Sequence, residues 1–247
     1  IGVICGIGGG VIIKPVLDAF GIMSVSAISF LSGGTVLSMS CYSVVKSRMN
    51  KESVIDMSIS TYLGVGAVMG GIVGKQAFQS VKALFDDADM IGAVQAAVLA
   101  VITLGTLFYT IFKKRIHTLK LKNKCVCLLI GLTLGVMSSF LGIGGGPINL
   151  VVLYFFFSME TKVAAQNSLY IILLSQISSL LITIFSHTVP TVSPWILIGM
   201  ILCGILGSVV GRKINARISG YVVDKLFMGL MCVIIAICFY NMYHFVA

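Results

Sequence analysis

The sequence predicts an all-α polytopic membrane protein made of two inverted repeats, each a glycine-broken re-entrant hairpin followed by three transmembrane helices. Three observations predict it. Of 247 residues, 58% are apolar and 10% charged, with a mean hydropathy of +1.08, whereas about a quarter of a soluble domain is charged. Charge-free runs cover 19–45, 57–74, 90–112, 125–159, 163–211 and 226–247, and most reach the roughly 20 residues needed to cross the hydrocarbon core. One glycine run occurs twice, as Gly6-Ile7-Gly8-Gly9-Gly10 and Gly142-Ile143-Gly144-Gly145-Gly146, 136 residues apart. A transmembrane β-barrel is excluded, because its strands would read as about ten-residue segments of alternating polarity.

Taken in order, the first element is the interrupted segment 1–17. Glycine loses the most backbone entropy on ordering and offers no side chain to pack, so four glycines in five residues break a helix. At membrane depth the freed N–H groups must be satisfied by protein or by a water-filled cavity. Three spans follow at 25–46, 54–74 and 89–112, separated by the polar breaks Lys46–Glu52 and Lys75–Asp89. Residues 113–124 carry Lys113, Lys114, Arg115, Lys120, Lys122 and Lys124 with no acid among them. That is the signature of a cytoplasmic linker obeying the positive-inside rule. No aromatic side chain is interleaved there to stack bases, so the net charge of +9 does not point to nucleic acid.

The second half repeats the first. An interrupted segment at 125–157 precedes spans at 163–186, 194–211 and 222–245, with breaks at His187–Pro194 and Arg212–Tyr221. The chain thus divides into a first repeat over 1–112, the linker 113–124 and a second repeat over 125–247. Gly66, Gly70, Gly74 and Lys75 correspond to Cys203, Gly207, Gly211 and Arg212. Small residues at four-residue spacing let helix backbones approach closely in a bilayer, so these rows are read as packing and given no chemistry. Aligning the glycine runs leaves the first half short of roughly a dozen residues of its leading helix, so the native chain is expected to begin before Ile1.

Topology turns on whether the glycine-broken segment crosses or turns back. If 125–157 crossed, Arg212, Lys213 and Arg217 would lie opposite the basic linker, against the positive-inside rule. If it turns back, they join the linker inside, and the 75–89 and 187–194 segments lie outside. Each half is then three spans plus a hairpin, an odd count that inverts one half relative to the other. Such repeats place their broken helices together at the repeat interface, so both glycine runs are expected side by side near mid-membrane, around a polar cavity.

Pro147 follows Gly146 and opens the apolar run 148–157, a helix-start signal. A half-helix beginning there turns unpaired N–H groups and the positive end of its dipole into the site, which attracts anions without a charged side chain. The anion is expected to be held mainly by backbone N–H groups of Gly8, Gly9 and Gly10 and of Gly144, Gly145 and Gly146. Lys14 and Asp18 lie beside the first break, where a mid-bilayer lysine costs about 2.5–3.5 kcal/mol on insertion scales. They either pair at i,i+4 or leave Lys14 to draw in the anion. Polar residues past each break, Ser29, Ser32 and Thr35, then Asn149, Gln166, Asn167 and Ser168, either bridge helices or donate to substrate. Gln166-Asn167-Ser168 is the densest of these groups.

At these residues the chain resembles the sulfite exporter TauE/SafE transporter family. The resemblance rests on the two GxGGG motifs opening each half, the proline or helix start behind them and about eight apolar segments. Its specific part is the pairing of Gly6–Pro15 with Gly142–Leu153, and it covers essentially the whole chain. It implies transport of a small anion such as sulfite, a sulfonate of the sulfoacetate type or thiosulfate. One departure is Val151, which stands where Pro15 stands in the first half.

Other chemistry is not signalled. The seven cysteines and three histidines show no metal-ligand spacing, GxGxxG fails at Val11 and Pro147, and no cofactor is expected. Neither HExxH nor a base beside a serine marks an intramembrane enzyme. No cleavable signal peptide is visible. The expected partners are a small anion and the lipid bilayer of a bacterial inner or plasma membrane, with a homodimer left open. Export is favoured because each negative charge leaving an inside-negative cell gains about 2.3 kcal/mol per 100 mV. An anion channel and a proton-coupled importer are the alternatives, although only Asp18 and Asp56 are acids placed well inside a span.

Overall fold

The computed structural model describes residues 1–50, 53–84, 88–121, 123–143 and 145–246, and these form helices only. In chain order the helices are α1 (Gly2–Cys5), α2 (Gly10–Phe20), α3 (Val25–Met49), α4 (Met57–Leu84), α5 (Ala88–Phe112), α6 (Lys124–Leu141), α7 (Pro147–Phe157), α8 (Thr161–Phe185), α9 (Pro194–Arg217) and α10 (Gly220–Val246). Among the described residues seven helices are long and apolar enough to cross a membrane, namely α3 to α6 and α8 to α10. Six are the predicted spans. The seventh, α6, is one arm of the second hairpin.

That hairpin turns back. The N–H groups of Leu119 and Leu121, just before α6, donate to the carbonyls of Phe155 and Phe156 at the end of α7, at 2.9 and 2.8 Å. The beginning of α6 and the end of α7 therefore meet on one side of the bundle. With 11 residues, α7 is only about 16 Å long at 1.5 Å per residue, so the glycine break lies deep in the bundle.

Two faces follow from the contacts between helix ends. On the first, Lys113 pairs with Asp224 at 2.5 Å and Thr161 donates to the same carboxylate at 3.0 Å. The Asp56 N–H donates to Asn167 at 2.9 Å, and the Lys124 ammonium sits over the Tyr62 ring. This face gathers the ends of α3, α5, α7 and α9 with the starts of α4, α6, α8 and α10. It carries Lys46, Arg48, Lys113, Arg115, Lys120, Lys162, Lys213 and Arg217, and is called the basic face below. On the opposite face Gly21 approaches His244, Gly92 approaches Phe245, and Lys75 bonds Thr183. Each helix of the first repeat runs opposite to its counterpart: α3 runs toward the basic face and α8 away from it, α4 away and α9 toward. The repeats are inverted, as the charge distribution predicts.

The described residues of the two basic segments, 113–121 with 123–124 and 212–217, share one face. Helix ends are where the sequence misleads. The predicted 54–74 span extends as α4 to Leu84, and the predicted 194–211 span as α9 to Arg217. Lys75 and Arg212 end an apolar run without ending a helix, because the residues that follow them are ordinary helix formers.

The first-half small-residue row packs as predicted. Gly66, Gly70 and Gly74 of α4 lie against the backbone at Leu128, Leu132 and Val136 of α6, while Gly131 and Gly135 of α6 lie against Leu63 and Ala67. A Cβ at any of these five glycines would drive into a facing carbonyl. This interlocking of parallel helices is the close approach that small-xxx-small rows permit.

Candidate functional site

Both breaks open in the same way. Helix α1 is capped by Gly6 at φ 75°, ψ 20°, and α6 by Gly142 at φ 64°, ψ 21°, the left-handed conformation that glycine adopts without strain. Half-helices then restart at Gly10 and Pro147, running from the centre toward opposite faces. The breaks touch: a Cβ on Gly10 would strike the Ile143 carbonyl, and Cβ atoms on Gly8 and Gly145 would both meet Ile172. Their predicted proximity is therefore observed.

The cavity expected around them is not. Ile7, Val36, Met39, Ile143 and Ile172, all buried, fill the centre. Beside Gly146 and Asn149 lies a space of about 10 Å³, roughly one water and too small for an oxyanion. Gly144 lies outside the described residues.

The predicted side chains fall into three groups. Asn167 is fully committed to structure. Its Oδ1 accepts from Asp56 N–H and from Ser60 Oγ at 2.9 and 2.5 Å, and its Nδ2 donates to the Val54 and Val163 carbonyls at 3.2 and 2.7 Å. It clamps the entry to α4 onto α8. Ser32 and Ser168, repeat equivalents, are fully buried with unpartnered hydroxyls, and Asn149 is buried behind Gly145. Lys14 is buried and donates to the Leu141 carbonyl at 2.9 Å and to Gln95 Oε1. It thus caps the C-terminal end of α6, where unpaired carbonyls and the negative dipole end collect, and its bonded partner is not Asp18. Of the predicted side chains, Gln166 and Ser29 line sizeable space.

That space consists of two chambers, one on each side of the packed breaks. The chamber toward the basic face holds about 190 Å³ and is lined by Ser43, Ser47, Lys162, Ala165, Gln166, Arg212 and neighbours. The chamber toward the opposite face holds about 400 Å³ and is lined by Ser29, Lys75, Gln79, Gln95, Gln176, Thr183 and neighbours. The linings are the same positions of the repeat. Ser43, Ser47, Ala165 and Arg212 on one side correspond to Ser179, Thr183, Ser29 and Lys75 on the other, and every lining residue of the smaller chamber except Ile55 has its counterpart in the larger.

The hydrogen bonds correspond too. Arg212 donates to the Ser43 carbonyl at 2.7 Å, and Lys75 to the Ser179 carbonyl at 3.4 Å and to Thr183 Oγ1. The floors match as well, with Gly6 packed on Ala165 and Gly142 on Ser29. Each chamber thus lies beside the place where a glycine break of one repeat meets the long helix of the other, Gly6 on α8 and Gly142 on α3. Sequence reasoning missed Lys75 and Arg212 as lining residues. Their signal was present, since each is a basic residue ending a small-residue row.

No curated protein and no solved structure matches the chain. The family model described as sulfite exporter TauE/SafE matches residues 1–237, a span that contains both breaks and both chambers. This multi-pass membrane protein belongs to the sulfite exporter TauE/SafE family, a family of transporters.

Proposed function

We propose that this protein carries small sulfur oxyanions of the sulfite, sulfonate or thiosulfate class across the cell membrane, one face at a time. One observation carries the reading: two repeat-equivalent chambers, each holding a cation, open on opposite sides of a centre closed by the paired glycine breaks. Inverted repeats give a carrier two states of equal construction by exchanging the conformations of its halves. In the present state the buried side chains of Ile7, Ile143 and Ile172 pack at the breaks, so passage requires the breaks to separate. Separation would expose the N–H groups of Gly8, Gly9 and Gly10 and of the second run to the passing anion, with Ser32, Ser168 and Asn149 within the same opening. The basic face is the cytoplasmic one by the positive-inside rule, and outward movement of an anion follows the inside-negative potential.

The test is flux of labelled sulfite in proteoliposomes containing the purified protein. A carrier gives saturable flux, competed by thiosulfate and methanesulfonate and accelerated by a potential negative on the anion-loaded side. Flux that rises linearly with concentration would make the protein a channel. No flux of any of these anions would remove the reading.

A further inference from the structure

We infer that the two chambers are the terminal anion sites of one path, with Lys75 receiving the anion at the opposite face and Arg212 at the basic face. The inference rests on the carrier reading above and assigns residues to it. In the larger chamber the Lys75 ammonium is held by two neutral oxygens, the Ser179 carbonyl and Thr183 Oγ1. A cation at this depth, whose hydrogen-bond partners among the described residues are neutral, attracts an anion more strongly than it would in water. Ser138 and Ser139 line the same chamber, and both have buried hydroxyls without a partner. An ammonium, two hydroxyl donors and the Gln176 amide suit a ligand that only accepts, with several oxygens on one centre. A sulfur oxyanion is such a ligand.

The chamber wall also reaches the second break. A Cβ at Gly142 would lie 2.5 Å from Ser29 Oγ and 3.6 Å from the Lys14 ammonium. A residue without a side chain at this floor leaves an anion room to approach the Lys14 ammonium, whose charge offsets the negative end of α6. In the smaller chamber Arg212 holds the repeat-equivalent place, with Lys162 and Gln166 beside it.

Exposed repeat-equivalent positions on the two rims, Gln79 and Ala216, provide a test that leaves packing intact. Entry of labelled sulfite is measured in vesicles of the two orientations, so that each face is presented to the anion in turn. Gln79→Glu is expected to raise KM about tenfold for entry from the opposite face and to leave entry from the basic face near wild type, and Ala216→Glu to do the reverse. Both effects should shrink as ionic strength rises. Lys75→Gln should repeat the Gln79→Glu sidedness, and Lys75→Arg should restore entry. If wild type carries sulfite while both glutamate variants act equally on the two faces, or on neither, the chambers are not the terminal sites although the carrier reading stands. If wild type moves none of the anions, both fall together.

Discussion

Helices α4 and α9 are the same element of the two repeats, carry the same row of small residues and end that row on a cation, yet they live in different surroundings. In α4 every glycine of the row is locked against the α6 backbone. In α9, Gly207 has nothing among the described residues within 4 Å of a Cβ, and a Cβ on Gly211 meets first the Val3 and Ile4 side chains of α1. The cations, in contrast, do equivalent things: Lys75 and Arg212 each donate to the matching serine carbonyl and line matching chambers. The small-residue row reports what a helix packs against, which differs between halves. The residue ending the row reports where the helix enters the chamber, which does not.

The sharpest way to break that comparison is to fill the two rows alike. Gly70→Leu would push a side chain into the Leu132 carbonyl of α6, where neither backbone can yield. We expect a loss above the about 1–3 kcal/mol typical of an overpacked core, seen as a large drop in melting temperature or failure to accumulate in the membrane. Gly207→Leu should stay within about 0.5 kcal/mol of wild type. A comparable loss for Gly207→Leu would mean that α9 is covered as closely as α4.

The next prediction contrasts the breaks. A Cβ on Gly10 meets the Ile143 carbonyl, whereas one on Gly146 meets first the Ile143 Cδ1 at 3.2 Å, the tip of a flexible side chain. Gly146 is also extended, at φ −154°, a conformation open to any residue. Gly10→Ala should therefore destabilise by about 1–3 kcal/mol, and Gly146→Ala by less than about 1 kcal/mol, as read by thermal melting of the purified variants. Equal losses would show that the second break is as tightly held as the first.

These contrasts mark what the sequence could and could not say. The repeat, the hairpin and the inversion were legible because lipid forces apolar runs of fixed length and biases loop charge, and both leave marks in the linear chain. Proximity of the breaks was legible from the duplication itself. The plug between them was not, because Ile172 and Val36 reach it from helices whose faces no run of letters specifies. Gln166 and Asn167 are a similar lesson. Adjacent on α8, they point about 100° apart, so Gln166 lines a chamber while its Oε1 accepts from Ser47 and the Val54 N–H, and Asn167 is wholly consumed as a clamp, a distinction that their shared polarity hides. Lys75 and Arg212 carried a usable signal, but it was read as punctuation between spans and not as part of the helices that continue past them.

The smallest expected effect concerns Lys14, the element of asymmetry nearest the chemistry, since Leu150 occupies the equivalent place in α7. One half of the protein thus needs a buried cation and the other does not. The bonds explain the difference: Lys14 satisfies the Leu141 carbonyl at the end of α6 and Gln95 Oε1, and a glutamine amide could donate to the same oxygens without a charge. Replacing a buried charge by a neutral donor removes desolvation cost along with attraction, so the two changes nearly cancel. Lys14→Gln should then fold with stability within about 1 kcal/mol of wild type. Lys14→Met, which leaves both acceptors unpaired, should lose about 1–3 kcal/mol. Transport separates capping from attraction. If Lys14 only caps α6, Lys14→Gln keeps the wild-type KM for sulfite and its dependence on ionic strength. If the charge also serves the floor of the larger chamber through Gly142, KM rises and its salt dependence weakens for entry from the opposite face alone. That second outcome would extend the Lys75 site inward by one residue and make the two chambers unequal in function as well as in volume.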